Sequence, residues 1–398
     1  MRLQHSDGQT VHLSYCTNVH AAEDLAGILE QLDTYAVPIR ERLGADVLGL
    51  GLWLAAPVAA GLAGDVAGRQ RLRRALDARG LEVVTLNGFP YQAFQAPVVK
   101  HAVYQPDWST PQRLAYTLDL ARVLADLLPA DAARGSISTL PLAWRDPWNP
   151  ERANACRRNL DALARELARF ERPIRVAFEP EPGCVIENTA QAAALLAGAD
   201  TSRIGVCLDL AHLACAWEDP ALALRNLAEA GLPIVKVQVS AALASADPRS
   251  DASVLGEYVE PRFLHQTRGA DGLSTDDLDE ALAVRGGDQQ PWRVHYHVPL
   301  HAPPVPPLQT TVGVLVDSLR LIVGGPAALC DHLDVETYTW NVLPPSSRPS
   351  GPAELAAGIA AELFFARAQL TVLGLTASGL TASGLTSSGL TTRQGVAS

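Results

Sequence analysis

The stretch RVAFEPEPG, Arg175 to Gly183, decides how the chain folds. It opens as an apolar strand and ends in two glutamates separated by a proline. Side chains alternate along a strand, so Glu179 and Glu181 share one face and Phe178 takes the other. A strand that is apolar inside and carboxylate-bearing at its exit fits a parallel barrel, where polar sites are built at the C-terminal strand ends.

Seven more short apolar runs flank it: VHLSYCT from Val11, VLGLGLWL from Val47, LEVVTLNG from Leu81, SISTLPLAW from Ser136, IGVCLDLAH from Ile204, VKVQVSA from Val235 and HLDVETYTW from His332. Between them lie segments such as RQRLRRALDARG and ERANACRRNLDALARELARF, whose leucines and alanines recur at helical spacing. Gly80 ends one of these helices beside a strand, as a left-handed cap would. Eight strands with intervening helices predict an α/β fold, a (β/α)8 TIM barrel over residues 1–372; a doubly wound open sheet is the alternative. The interval of about 241–330 between the seventh and eighth strands is too long for a minimal barrel and reads as an excursion over the barrel mouth. AELAAGIAAELFFARAQL is the last packed helix. After it, GLTASGLTASGLTSSGLTT repeats every five residues with no charge, so 373–398 is expected to be a low-complexity disordered tail.

Of the 398 residues, 48% are apolar and 19% charged, as in a globular protein with a sizeable core. The formal charge of -11 argues against a nucleic-acid partner, which calls for a basic surface. The six cysteines show no CxxC and no framework spacing, so they read as reduced, buried thiols of a cytoplasmic protein. No signal-peptide core opens the sequence, and no apolar run approaches the ~18 residues of a membrane span, so no membrane insertion is expected.

Strand alternation also sorts the polar residues. In VKVQVSA the valines share one face and Lys236, Gln238 and Ser240 the other; in HLDVETYTW, Asp334, Glu336 and Tyr338 oppose Leu333 and Val335. In WRVHYHVPL within the excursion, Arg293, His295 and His297 alternate with Val294, Tyr296 and Val298. The polar faces belong in the lumen. Asn18, Trp53, Asn87 and Trp144 end the first four strands and are candidates to line the mouth. Glu179, Asp209 and Glu336 then converge from three strand ends. Burying several carboxylates together costs many kcal/mol unless a cation or a shared proton compensates. A divalent metal is the simple solution: oxygen ligands favour Mg or Mn, and adding His212 or His297 moves the preference toward Mn, Co or Zn.

At these residues the sequence resembles the xylose isomerase-like barrel superfamily, which includes sugar isomerases, epimerases and metal-dependent endonucleases. FEPEPG matches its Glu-Pro at the fifth strand, CLDLAH its Leu-Asp-x-x-His at the sixth, and VETY its final Glu. More narrowly, SYCTNVH, LNGFPY, FEPEPGCVIENT, CLDLAH, VKVQVS, FLHQ, HVPLH and ETYTWNVLP together look like the metabolite traffic protein E family of the ebo gene cluster, over nearly all the chain before the tail. That family is linked by gene context to making or exporting secondary metabolites. In the sugar epimerases a Glu, an Asp, a His and a second Glu hold the metal, and the two glutamates exchange the carbon-bound proton. The resemblance implies that Glu179 and Glu336 are ligands and acid/base partners, that Asp209 is a ligand and that His212 contacts substrate. At the seventh strand the family's ligand histidine is replaced by Gln238, a fourth ligand through its carbonyl; His297 or His265 are the substitutes within reach. Asn87, Trp53 and Lys236 complete the candidate substrate-binding set.

Each reading has a plainer competitor. Glu179 and Glu336 would simply pair with barrel arginines such as Arg175 or Arg293, Asp209 would cap the following helix, and Lys236 would be a carboxylate's buried partner. Two functions follow: a metal-dependent isomerase or epimerase of a small polar, sugar- or polyol-like metabolite, or a non-catalytic carrier on the same scaffold, which the residue change at Gln238 motivates. An endonuclease has the fold but not the charge. The helix-rich exterior leaves a homodimer open.

Overall fold

Eight parallel strands close on themselves, each formed where the apolar runs place it. They are β1 (Thr10–Cys16), β2 (Leu48–Trp53), β3 (Leu81–Asn87), β4 (Gly135–Thr139), β5 (Ile174–Phe178), β6 (Ile204–Asp209), β7 (Ile234–Val239) and β8 (His332–Val335). Each pairs with its neighbour, and β8 pairs back onto β1 through Leu333↔Leu13 and Asp334↔Ser14, so the sheet is a closed (β/α)8 barrel and not an open one. The computed structural model describes residues 1–284 and 290–377. Helices such as Pro111–Leu127 and Pro150–Leu167 bury one face against the strands. Asp65, Asn149, Asn188 and Asp219 start helices by accepting a backbone N–H, the usual remedy for the unpaired first turn.

The lower lumen is polar, as the alternation predicts. Lys236 Nζ lies 2.8 Å from Asp334 Oδ2, and both side chains are fully buried. Ser14 Oγ donates to Asp334 Oδ1 at 2.7 Å. Space for this carboxylate comes from β2: a Cβ on Gly51 would fall 1.9 Å from Asp334 Oδ2. Gly51→Ala must therefore push Asp334 off Lys236. We expect a loss of about 3 kcal/mol in chemical unfolding, the cost of breaking a buried pair; a loss below about 1 kcal/mol would mean that the pair adapts.

The excursion has its own five-stranded antiparallel sheet, in the order Ser274–Thr275, Thr267–Gly269, Trp292–His297, Ala242–Ser245, Gln309–Thr310. It is tied to the loop after β3, where the Arg262 carbonyl accepts the N–H groups of Val99 and Lys100 at 2.7 and 2.8 Å. Its register against Ala242–Ser245 shifts between Val294 and His297, a bulge of the kind that re-aims side chains beside a site. The helix Val312–Val323 then leads into β8.

The last helix, Pro352–Val372, buries Leu355, Ile359, Leu363 and Leu370. By length and composition it is also the one described helix able to cross a membrane, with a mean hydropathy of 1.3. Glu362 and Arg367 interrupt its apolar run, and 44% of that stretch is buried within the chain, as in a helix of the core. Beyond the helix, Leu375 is buried and Thr376–Ala377 pairs with Leu3 and Gln4. The rest of the expected low-complexity tail, from residue 378, lies outside the described residues.

Candidate functional site

Glu179, Asp209 and Glu336 stand at the ends of β5, β6 and β8 and are at most 5% exposed. Asp209 has two jobs. Its Oδ1 caps the helix Leu210–Cys215, accepting from the N–H of Ala211 and His212 and from Ser240 Oγ at 2.8–2.9 Å, while its Oδ2 has no partner. Capping and ligation, rival readings in the sequence, use different oxygens of one carboxylate. Glu336 Oε1 accepts from Asn18 Nδ2 at 2.6 Å and Asn87 Nδ2 at 3.0 Å, so two amides from β1 and β3 orient it. Glu179 Oε2 is unpaired. So are both amide atoms of Gln238, whose residue pairs with Asp209 on one side and Asp334 on the other.

Buried polar atoms are nearly always hydrogen-bonded, so this concentration of unpaired oxygens needs an explanation. Burial, with Glu336 and Asp209 nearby, holds the Glu179 carboxyl well above its usual range. Burial and Asp209 push Glu336 up to about 8. The residues fit a divalent cation: it would pair the free oxygens and remove the repulsion that keeps protons on the glutamates.

This has a consequence for stability. Glu336 rises from an ordinary 4.5 to about 8 in the folded chain. Its contribution is complete below 4.5 and is lost as pH rises through about 8, because the folded state holds the proton that the unfolded state has released. Chelator-treated protein should melt lower at pH 9 than at pH 7, by on the order of 5 °C, and Mn2+ should flatten the slope. A Tm that is level or rising over that range would contradict it.

Three histidines face the carboxylates. His212 Nε2 is 3.9 Å and His297 Nε2 3.8 Å from Asp209 Oδ2, and His212 Nδ1 is 4.0 Å from Glu179 Oε1. Burial lowers all three imidazoles, His297 to about 4, so they are neutral at pH 7. Ligand atoms of Glu179, Asp209 and His212 lie within 4.8 Å of one another, as do those of Asp209, His297 and Glu336, and those of His212, His295 and His297.

A cavity of about 60 Å³ opens onto this cluster, lined by Glu179, Glu181, Glu336, His212, His295, His297, Asn18 and Asn87. Its outer wall is apolar: Phe89, Phe94, Phe263 and Tyr338, with Phe263 and Tyr338 edge to face at 4.9 Å. Lys100 also lines it but is ion-paired with Asp277.

Several sequence candidates lie elsewhere. Lys236 is held below the cavity by Asp334. Trp53 donates its indole N–H to the Pro90 carbonyl at 2.9 Å and packs in the core. His265 binds Glu260 through Nε2 at 2.8 Å and the His295 carbonyl through Nδ1, so of the two proposed replacements for the seventh-strand histidine only His297 joins the carboxylates. Trp144 is likewise packed, against Tyr104.

Glu181, on the same face as Glu179, also lines the cavity. Tyr104 donates to it at 2.6 Å, and burial raises it to about 8. Its signal was its shared face with Glu179. Phe94 and Phe263 came from loops and Tyr104 from the end of a single 3-10 turn, where no periodicity marks a direction.

A family model described as xylose isomerase-like TIM barrel matches residues 41–270. The chain belongs to this family. No curated protein matches it. Among solved structures, an Anabaena variabilis protein described as a sugar phosphate isomerase/epimerase is 16% identical, with a TM-score of 0.52 over 92% of this chain and 100% of the other. D-allulose 3-epimerase from Methylomonas sp. is 12% identical, with a TM-score of 0.51 over 90% of this chain and 98% of the other. At such identity these two share with this xylose isomerase-like barrel its fold alone.

Proposed function

We propose that this xylose isomerase-like barrel is a divalent-metal-dependent isomerase or epimerase of a small sugar- or polyol-like hydroxycarbonyl compound. The observation that carries the reading is that Asp209, with an unpaired oxygen, groups with Glu179, also unpaired, on one side and with Glu336 on the other, beside one cavity. Glu179, Asp209, Gln238 and Glu336 would hold the cation, with His297 as the available nitrogen. When bound, the metal supplies Lewis-acid polarisation of the substrate oxygens.

Glu179 and Glu336 move the proton. They stand on different strands, and burial raises both carboxyls, Glu336 to about 8, toward the range in which a carboxyl both gives and takes a proton. Asn18 and Asn87 fix the Glu336 carboxylate, and His212 binds a substrate hydroxyl. The aromatic wall excludes water from the reacting carbon. Lys100 is the one cation lining the cavity among the described residues, and its pairing with Asp277 leaves a substrate phosphate without a free partner. An unphosphorylated substrate follows. The motif resemblance to the metabolite traffic protein E family extends the proposal to a role in secondary-metabolite handling.

The test is solvent exchange. Mn2+-loaded protein is incubated with ketohexoses such as D-fructose and D-tagatose in D2O, and deuterium at the carbon beside the carbonyl is read by NMR. Incorporation is expected with at least one sugar. Ligand binding with no incorporation from any sugar would favour the carrier.

A further inference from the structure

At the opposite end of the barrel, three arginines stand at the N-terminal ends of neighbouring strands: Arg134 before β4, Arg175 in β5 and Arg203 before β6. They are unequally paired. Arg134 reaches across the floor to Asp331, before β8, donating Nε and Nη2 to its Oδ1 at 3.1 and 2.5 Å. His332 Nδ1 and Ser136 Oγ meet one residue higher at 2.7 Å, so side chains of β4 and β8 close the lumen from below.

Arg175 and Arg203 have no such partner. The register Val176↔Ile204 makes them neighbours on adjacent strands, and the Arg203 carbonyl accepts the Val176 N–H at 2.8 Å. Both side chains are half-buried, and neither makes a hydrogen bond or an ion pair among the described residues. Arg175 Nε and Arg203 Nη1 are nonetheless sealed from solvent. Burial, then Arg134 and Arg203 nearby, lower the Arg175 guanidinium, yet an arginine keeps its charge in a protein. Glu179, the carboxylate that the sequence offered to Arg175, lies past the other end of the same strand. Glu82, also buried at this end, is taken by Arg2 at 2.6 Å.

Three guanidiniums therefore share Asp331, in a chain whose formal charge is -11. A buried donor left unpaired bears its full desolvation penalty, and the like charges repel. An anion removes both effects at once.

We propose that Arg175 and Arg203, with Arg134 beside them, form a binding site for a dianionic phosphate group at the floor of the barrel. A tetrahedral dianion matches the two charges that Asp331 leaves over, and its oxygens accept the planar guanidinium forks in pairs. A monoanion such as acetate matches half of that charge. The site is separate from the proposed reaction: Ala177, Cys207 and Val235 form a buried apolar layer between it and the strand-end carboxylates. Its occupant acts on the barrel, because a ligand held only by the folded chain stabilises it by mass action.

Calorimetric titration of the full chain at pH 8 and constant ionic strength tests this, with inorganic phosphate, glycerol 3-phosphate and acetate as probes. One phosphate per chain is expected, at a Kd of about 1 mM or tighter, and no saturable heat with acetate. Binding of inorganic phosphate assigns the free ion; binding of glycerol 3-phosphate alone assigns the ester. Arg175→Gln and Arg203→Gln should each weaken binding by about tenfold or more, as the loss of a bidentate charged contact implies. Both should keep deuterium exchange and, without phosphate, melt no lower than the parent, since each relieves repulsion. Glu179→Gln should bind phosphate as the parent does, which separates this site from any anion at the cavity. No saturable binding of either phosphate, equal binding of acetate, binding that survives both arginine variants, or binding lost with Glu179→Gln overturns the site. Should Arg175→Gln not fold, Arg203→Gln decides by the same titration.

Discussion

Glu336→Gln is expected to lower deuterium incorporation by about 10²–10⁴-fold, the usual worth of a positioned acid or base, while the protein stays folded. Asn18 and Asn87 both donate to Glu336 Oε1, and a glutamine carbonyl accepts the same two bonds, so the substitution is conservative for structure. It removes the group that takes and returns the proton. Glu179→Gln should behave alike from the other side of the cavity, since its Oε2 has no structural partner to lose. The effect should fall on kcat more than on KM, because ligand contacts from His212 and the aromatic wall persist. Exchange that survives in both variants would end the proton-transfer account.

Lys236→Met is expected to destabilise the metal-free protein by about 3–5 kcal/mol, the cost of leaving a buried charge without its partner. Lys236 and Asp334 are fully buried in the lumen, and Asp334 fills the space that Gly51 leaves. Lys236→Met/Asp334→Asn should recover much of the loss: the amide still accepts from Ser14 Oγ, and no charge is stranded. The comparison separates structure from chemistry. A Lys236→Met variant of normal stability and lost turnover would return the lysine to the reaction, as an amine nucleophile requires.

Strand alternation alone found Glu179, Glu336 and the polar lumen, because in a closed parallel barrel a side chain's parity fixes whether it points to helices or to the interior. It was also why Lys236 was placed with the substrate: parity gives the face but not the depth, and Lys236 lies two residues below Gln238 on β7. Trp53 shows the opposite failure. It ends β2 as expected, yet a large indole at a rim finds a carbonyl and buries itself. The histidines were visible as alternation in WRVHYHVPL within an excursion expected over the mouth, but nothing local says which side chains of that strand reach the carboxylates. That depends on its pairing with Ala242–Ser245 and on the bulge before His297. His265 and His297 looked equivalent in sequence; Glu260, five residues from His265, decides between them by taking its free nitrogen.

The central claim is that three strand-end carboxylates exist to hold a cation. Crystals of the protein grown with Mn2+, measured at a wavelength where manganese scatters anomalously, address it most directly. The account predicts one strong peak at about 2.0–2.3 Å from oxygens of Glu179, Asp209 and Glu336. A map without a peak among these carboxylates, at saturating Mn2+, would contradict it.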